Sequence, residues 1–145
     1  MRQSILRYFI SLLLVSLCIC SATSIFIISG SMKEDSEREM MYSVKLIEYN
    51  LDYSKDLNTQ IETLNPLAFS DDTRISVIDE KGKVLADTYK NDISSNHLKR
   101  EEVQQALHSS NHEGYAMRRS ETTNQPLLYA AYYKDTHIIR LSIPY

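Results

Sequence analysis

With 145 residues, the chain has room for one domain of ordinary size beside an anchor, and its hydrophobic fraction of 43% is that of a globular protein. A formal net charge of −3 with no basic block argues against nucleic acid as a partner and offers no patch for anionic lipid head groups. Both cysteines, Cys18 and Cys20, fall in one apolar run, so the rest of the chain has no disulfide and depends on its core.

That run comes first. From Tyr8 to Gly30 there are 23 residues without a charge. At about 1.5 Å per residue a helix of this length crosses a hydrocarbon core of about 30 Å. Arg2 and Arg7 precede it, and Lys33, Glu34 and Asp35 follow. The positive-inside bias then puts residues 1–7 in the cytoplasm, a signal anchor at 8–30 and an exported domain at 31–145. A cleaved signal peptide is the competing reading, but the apolar run resumes at Ile25 after "CSATS", so the anchor is expected to stay. The exported part keeps 14 basic and 19 acidic residues, a net charge of −5.

Residues 33–64 read as one long helix, with Met40, Val44, Ile47, Leu51, Leu57, Ile61 and Leu64 spaced near 3.5 and Pro66 ending it. The stripe can face its own domain or a second copy. Its heptad-like spacing from Met40 favours a homodimer through the membrane-proximal helix. The sheet region, 73–145, opens with "TRISVIDEKGKVLADT". Here Ile75 and Val77 alternate with Ser76 and Ile78, Asp79–Gly82 turns, and Lys83–Asp87 returns as a second strand. "KNDISSN" is a polar loop, and "HLKREEVQQALHSS" a second helix with Glu101 and Glu102 in its first turn. Three strands follow, around Tyr115–Arg119, in "LLYAAYY" and in "HIIRLSIPY", where Ile139, Leu141 and Ile143 share a face. This order predicts an α+β domain: a five-stranded antiparallel sheet with the long helix across one face.

Candidate chemistry is sparse. Asp79 and Asp87 on the hairpin arms make a possible carboxylate pair, yet both sit where Asp side chains bond local backbone. His108 and His112 have ligand spacing, with His97 and Glu113 as further donors, but "HSSNHEG" is a helix end. We expect no catalytic residue, no metal site and no cofactor. More weight falls on Arg118 and Arg119 with Tyr129, Tyr132 and Tyr133 on the next strand. One arginine and one or two tyrosines would share a side of the sheet, a setting suited to a small anionic ligand.

The hairpin, "NHLKREEVQQAL", "GYAMRRS", "LLYAAYY" and "IIRLSIPY" together resemble the extracytoplasmic sensor region of membrane sensor histidine kinases, in particular PhoR-like and WalK-like kinases of Gram-positive bacteria. The resemblance covers residues 73–145 by motif and the anchor and long helix by layout. It implies a single Cache, PAS-like domain serving signal transduction in a two-component system. It also implies a ligand cavity flanked by the segment before the second helix, which adds His97 and Arg100 to the candidate ligand-binding residues. Glu101 stands where such sequences commonly carry proline, an exchange a helix start tolerates. The sequence stops at Tyr145, before a second membrane helix or kinase core, so this chain is expected to be a non-enzymatic piece or a truncated relative. A chemoreceptor or cyclase sensor region, or a stand-alone anchored protein binding an envelope partner, are the other readings.

Overall fold

The computed structural model describes residues 2–70, 72–89, 96–120 and 124–145. Most of the expected polar loop (90–95) and part of the turn before "LLYAAYY" (121–123) lie outside the described residues. The first helix, α1, runs unbroken over Arg2–Asn50 and contains a segment long and apolar enough to cross a membrane. The chain divides into two units, one ending at Ser36 and one spanning Glu37–Tyr145. In the first unit, side chains from Ile5 to Asp35 are exposed.

In the second unit, Met40, Val44 and Ile47 of α1 are fully buried. They pack with Ile75, Val77, Leu128, Ile139 and Leu141 into the main core. Burying one such side chain stabilises by roughly 1.5–3 kcal/mol, so this stripe is the principal bond between helix and sheet. Of the two faces open to the stripe in the sequence, Met40, Val44 and Ile47 take the chain's own sheet.

The single helix over 33–64 is corrected. α1 stops at Asn50, and α2 (Leu57–Leu64) starts afresh after a six-residue break. The cause is local. Asp52 Oδ1 accepts from the Ser54 N–H at 3.0 Å and its hydroxyl at 2.6 Å, turning the chain. Asp56 then caps α2 by accepting from the Thr59 N–H at 2.9 Å. Ile61 still reaches the main core, which is why a helical period survived the break. Asn65, before Pro66, keeps helical angles (φ −53°, ψ −36°) and enters a 3₁₀ turn, Asn65–Leu67.

Five strands follow: β1 (Arg74–Asp79), β2 (Val84–Asp87), β3 (Glu113–Arg119), β4 (Pro126–Lys134) and β5 (His137–Pro144). They form one sheet in the order β2-β1-β5-β4-β3, every pair antiparallel. The α+β class and the five-stranded antiparallel sheet are as expected from the sequence. A third helix, α3 (Glu101–His108), covers the opposite face and is shorter than the span 97–110 suggested. Ile78, Val84, Ala131 and Ile138 meet Val103 and Ala106 of α3 in a second, smaller core.

The β1–β2 turn also grips the approach to α3. Asp79 Oδ1 accepts from the Lys81 and Lys83 N–H groups, both at 2.9 Å, so Asp79 serves its turn as the local reading held. His97 N–H donates to the Gly82 carbonyl at 2.7 Å, and Asn96 Nδ2 to the Lys81 carbonyl at 2.8 Å. Gly82 has φ +80°, and a Cβ there would lie 2.3 Å from the Leu98 nitrogen. The "NH" before α3 and the hairpin glycine are two halves of one contact.

Candidate functional site

The period of two along the strands sorts polar and apolar residues onto opposite faces. On β5, Ile139, Leu141 and Ile143 enter the main core, so Arg140 and Ser142 face the α3 side. On β1, Arg74 and Ser76 share that side with the β2 residue Asp87, which is paired with Ser76. On β4 it is Tyr129, opposite Ser142. A polar patch therefore spans the sheet at the end where β5 finishes.

Two buried carboxylates organise it. Asp87 holds Arg74 through Nε at 2.9 Å and Nη2 at 2.9 Å, and also accepts from the Ser76 hydroxyl at 2.7 Å. Glu102, fully buried in the first turn of α3, accepts from Arg118 Nη1 at 2.6 Å, Arg118 Nη2 at 3.0 Å and Arg140 Nε at 2.8 Å. Burial pushes the Glu102 carboxyl up, but the Arg118 hydrogen bond and both guanidinium charges outweigh it, leaving the group below its ordinary value. Arg118 is pulled up, its burial outweighed by the Glu102 hydrogen bond and charge. Arg140 is lowered, first by burial and then by Arg118 and Arg74, against the pull of Glu102. Both arginines lie over the Tyr129 ring, the Arg118 guanidinium carbon 3.7 Å and that of Arg140 4.7 Å from its centroid.

Beside this network lies a cavity of about 300 Å³, lined among others by Asp72, Arg74, Tyr89, Gln125, Tyr129 and Ser142. Tyr89 stands at its rim, half-exposed, with the Arg74 guanidinium 5.5 Å from its ring centroid.

The residues singled out in the sequence fall into two groups. Arg118, Tyr129 and His97 come together on the α3 face, His97 buried with Nδ1 3.1 Å from Arg140 Nη1. Arg118 is the arginine that turns inward, and its guanidinium fork is already filled by Glu102. Arg119 is exposed and donates from Nη1 to the Asn124 carbonyl at 3.2 Å. Tyr132 lies on the other face, packed against the main core with Lys45 5.1 Å from its ring centroid. Arg100 occupies the N-cap position of α3 with extended angles (φ −70°, ψ 137°). Tyr133 donates to Glu80 at 2.6 Å.

Arg74, Arg140 and Ser142 are absent from the sequence-based candidates, while Asp87 and Glu102 figure there only in local roles; Asp87 keeps its local one, accepting from the Tyr89 N–H at 2.7 Å, and pairs with Arg74 rather than Asp79. One signal was available: an arginine at an inward position of an apolar strand, as in "IIRLSIP", requires a buried acid, and Glu102 is among the few within an amphipathic helix. Its place in a first turn is also favoured by the helix dipole, so position alone does not reveal the buried partner.

No family model matches the chain, and no curated protein matches it. Solved structures do. A Bacillus subtilis protein, YkuI, with an EAL domain, is 19% identical over 77% of this chain and 31% of its own, with a TM-score of 0.55. The ligand-binding domain of the Campylobacter jejuni chemoreceptor Tlp3, in complex with 4-methylisoleucine, is 17% identical over 79% of this chain and 52% of its own, with a TM-score of 0.54. A methyl-accepting chemotaxis protein of Vibrio parahaemolyticus is 20% identical over 81% of this chain and 90% of its own, with a TM-score of 0.51. The chain thus spans about a third of the first of these structures and about half of the second. At these identities the likeness concerns the fold: a long N-terminal helix and a five-stranded antiparallel sheet, as in chemoreceptor ligand-binding domains.

Proposed function

We propose that this chain is the extracytoplasmic sensory region of a membrane receptor, holding a small ligand in the cavity beside Arg74, Tyr129 and Ser142. The carrying observation is that cavity: an aromatic and hydroxyl-lined space on the sheet face opposite α1, backed by a buried ion network. Three guanidiniums, Arg74, Arg118 and Arg140, face two buried carboxylates, Asp87 and Glu102. Arg74 lines the cavity and is the group there that suits a ligand carboxylate. Asp72 at the cavity suits an amine on the same molecule. Tlp3 structures with 4-methylisoleucine and with L-norvaline support an amino-acid-like occupant.

In this reading the receptor is a two-component sensor histidine kinase whose catalytic parts lie outside this chain, as the sequence resemblance implies. A chemoreceptor sensor region is the second reading, favoured by the structural neighbours. In both, the N-terminus is cytoplasmic, α1 carries the anchor, and the domain works as a homodimer. Ligand binding biases two arrangements of α1 and so relays the signal. An envelope protein partner in place of a small ligand belongs to the stand-alone reading.

The test is thermal unfolding of the full chain in detergent micelles against a panel of amino acids and small carboxylates. A ligand at a hundredfold its Kd adds about 2.7 kcal/mol, which raises Tm by several degrees, and Ser142→Leu is expected to remove the rise. If no member of the panel moves Tm while an envelope protein does, the small-ligand reading fails.

A further inference from the structure

Building on the ligand reading above, we infer that the cavity selects an occupant whose side chain carries a hydroxyl or an amide, and discriminates against an aliphatic one of the same shape. Ser142 carries the inference, with Tyr129 beside it. Each residue is 6% exposed, and they face each other as a registered pair on β5 and β4. Neither hydroxyl takes part in a hydrogen bond among the described residues. The polar side-chain atoms there that are both sealed from solvent and without a partner are Asn58 Oδ1 and Asn65 Oδ1. The two hydroxyl oxygens are therefore not sealed, and both residues line the cavity of about 300 Å³.

The polarity of that cavity runs opposite to that of a site built for an aliphatic chain. Two positions along each strand, Leu127 and Pro144 face each other on the same side of the sheet. Both line the cavity, Leu127 half-buried and Pro144 exposed. The apolar surface thus lies nearer the mouth and the hydroxyls at the floor. A ligand that displaces solvent from the floor has to replace its hydrogen bonds. A methyl group placed there leaves a buried hydroxyl unpaired, whereas a hydroxyl or amide oxygen accepts from it.

The ligand carboxylate is not the group that fills this role. Arg74 and Tyr129 flank Ser142 in one row across the sheet, one on β1 and the other on β4. The Arg74 guanidinium is drawn the other way, toward β2, where Asp87 accepts from Nε and Nη2. Neighbouring strands are about 4.8 Å apart. A carboxylate docked on Arg74 therefore lies a strand or more from the hydroxyls, and its two oxygens are too close together to span the row. The second polar group belongs to the side chain of the occupant.

The experiment is isothermal titration calorimetry of the full chain in micelles with two near-isosteric pairs, L-threonine against L-valine and L-asparagine against L-leucine. In the wild type the polar member of at least one pair is expected to bind about tenfold tighter, the penalty of one unpaired buried hydroxyl. Ser142→Ala removes only an oxygen and is expected to bring that ratio close to one. Tyr129→Phe keeps the ring beneath the two guanidiniums and is expected to reduce it. If the aliphatic members of both pairs bind as tightly as their polar partners, the inference is overturned and the ligand reading stands. A preference that persists unchanged in both variants overturns it too, because the polar group is then read elsewhere. So does an equal loss of affinity for both members of a pair in Ser142→Ala, which assigns that hydroxyl to the carboxylate. If none of the four amino acids binds, the inference falls together with the amino-acid-like occupant. The wild-type comparison decides even where a variant misfolds.

Discussion

Glu102 shows how much one side chain settles. Its carboxylate is enclosed by Arg118 and Arg140, and three hydrogen bonds of 2.6 to 3.0 Å use both oxygens. Removing one partner of a buried ion pair strands the others. Glu102→Ala is expected to destabilise the domain by about 3–5 kcal/mol, measured by chemical denaturation in micelles. The pH dependence has a definite sign. Folding holds Glu102 below its ordinary value of 4.5, so the folded state takes up its proton less readily than the unfolded chain. The stabilisation is complete above 4.5 and is lost as pH falls through the lower folded value. A denaturation midpoint that falls below pH 4.5 in the wild type, and far less in Glu102→Gln, is the expected outcome. At this scale the sequence was half legible. "RR" on a strand beside a tyrosine-rich one pointed at Arg118 and Tyr129, but the acid that fills Arg118 is 16 residues away.

The elements were read more fully, and their failures have local causes. An apolar period near 3.5 carried 33–64 as one helix, because α1 and α2 both dip into the same core. The interruption lies in polar residues, Asp52, Ser54 and Asp56, whose side chains outcompete the helix for backbone N–H groups. Gly114 reveals how tightly α3 sits on β3. A Cβ there would fall 1.9 Å from the Glu102 carbonyl oxygen and 2.8 Å from the Ala106 nitrogen, both backbone atoms that cannot rotate away. Gly114→Ala is expected to cost about 3 kcal/mol, at or above the upper end of ordinary overpacking, because α3 must lift as a unit. Gly30→Ala, with nothing within 4 Å, serves as the control and is expected to leave the midpoint unchanged. Equal effects in the two variants would refute the close approach.

For the whole molecule, the question is which surface remains for a second copy. The buried stripe of α1 is spent on the sheet, but Tyr42 and Tyr49, seven residues apart, are 72% and 81% exposed, with the half-buried Leu46 between them. Seven residues return a helix to nearly the same side, so these tyrosines share one exposed side of α1, the side that would face a second copy in the proposed homodimer. In a background with Cys18→Ser and Cys20→Ser, Tyr49→Cys is expected to cross-link in membranes on mild oxidation. Glu62→Cys, exposed on α2, is expected not to. The reverse pattern would move the interface away from α1.

By itself the sequence determined what depends on neighbours along the chain. The apolar run of 23 residues, the strand alternation and the turn at Gly82 are short-range patterns, each dictated by backbone geometry and solvent preference. Tertiary structure alone decided the strand order β2-β1-β5-β4-β3, which brings the last strand between the first and fourth. That placement puts Arg140 beside His97, 43 residues earlier, and beside Glu102, 38 residues earlier. The physical reason is that a buried charge must find its counterion in space, and the chain records only that both charges exist.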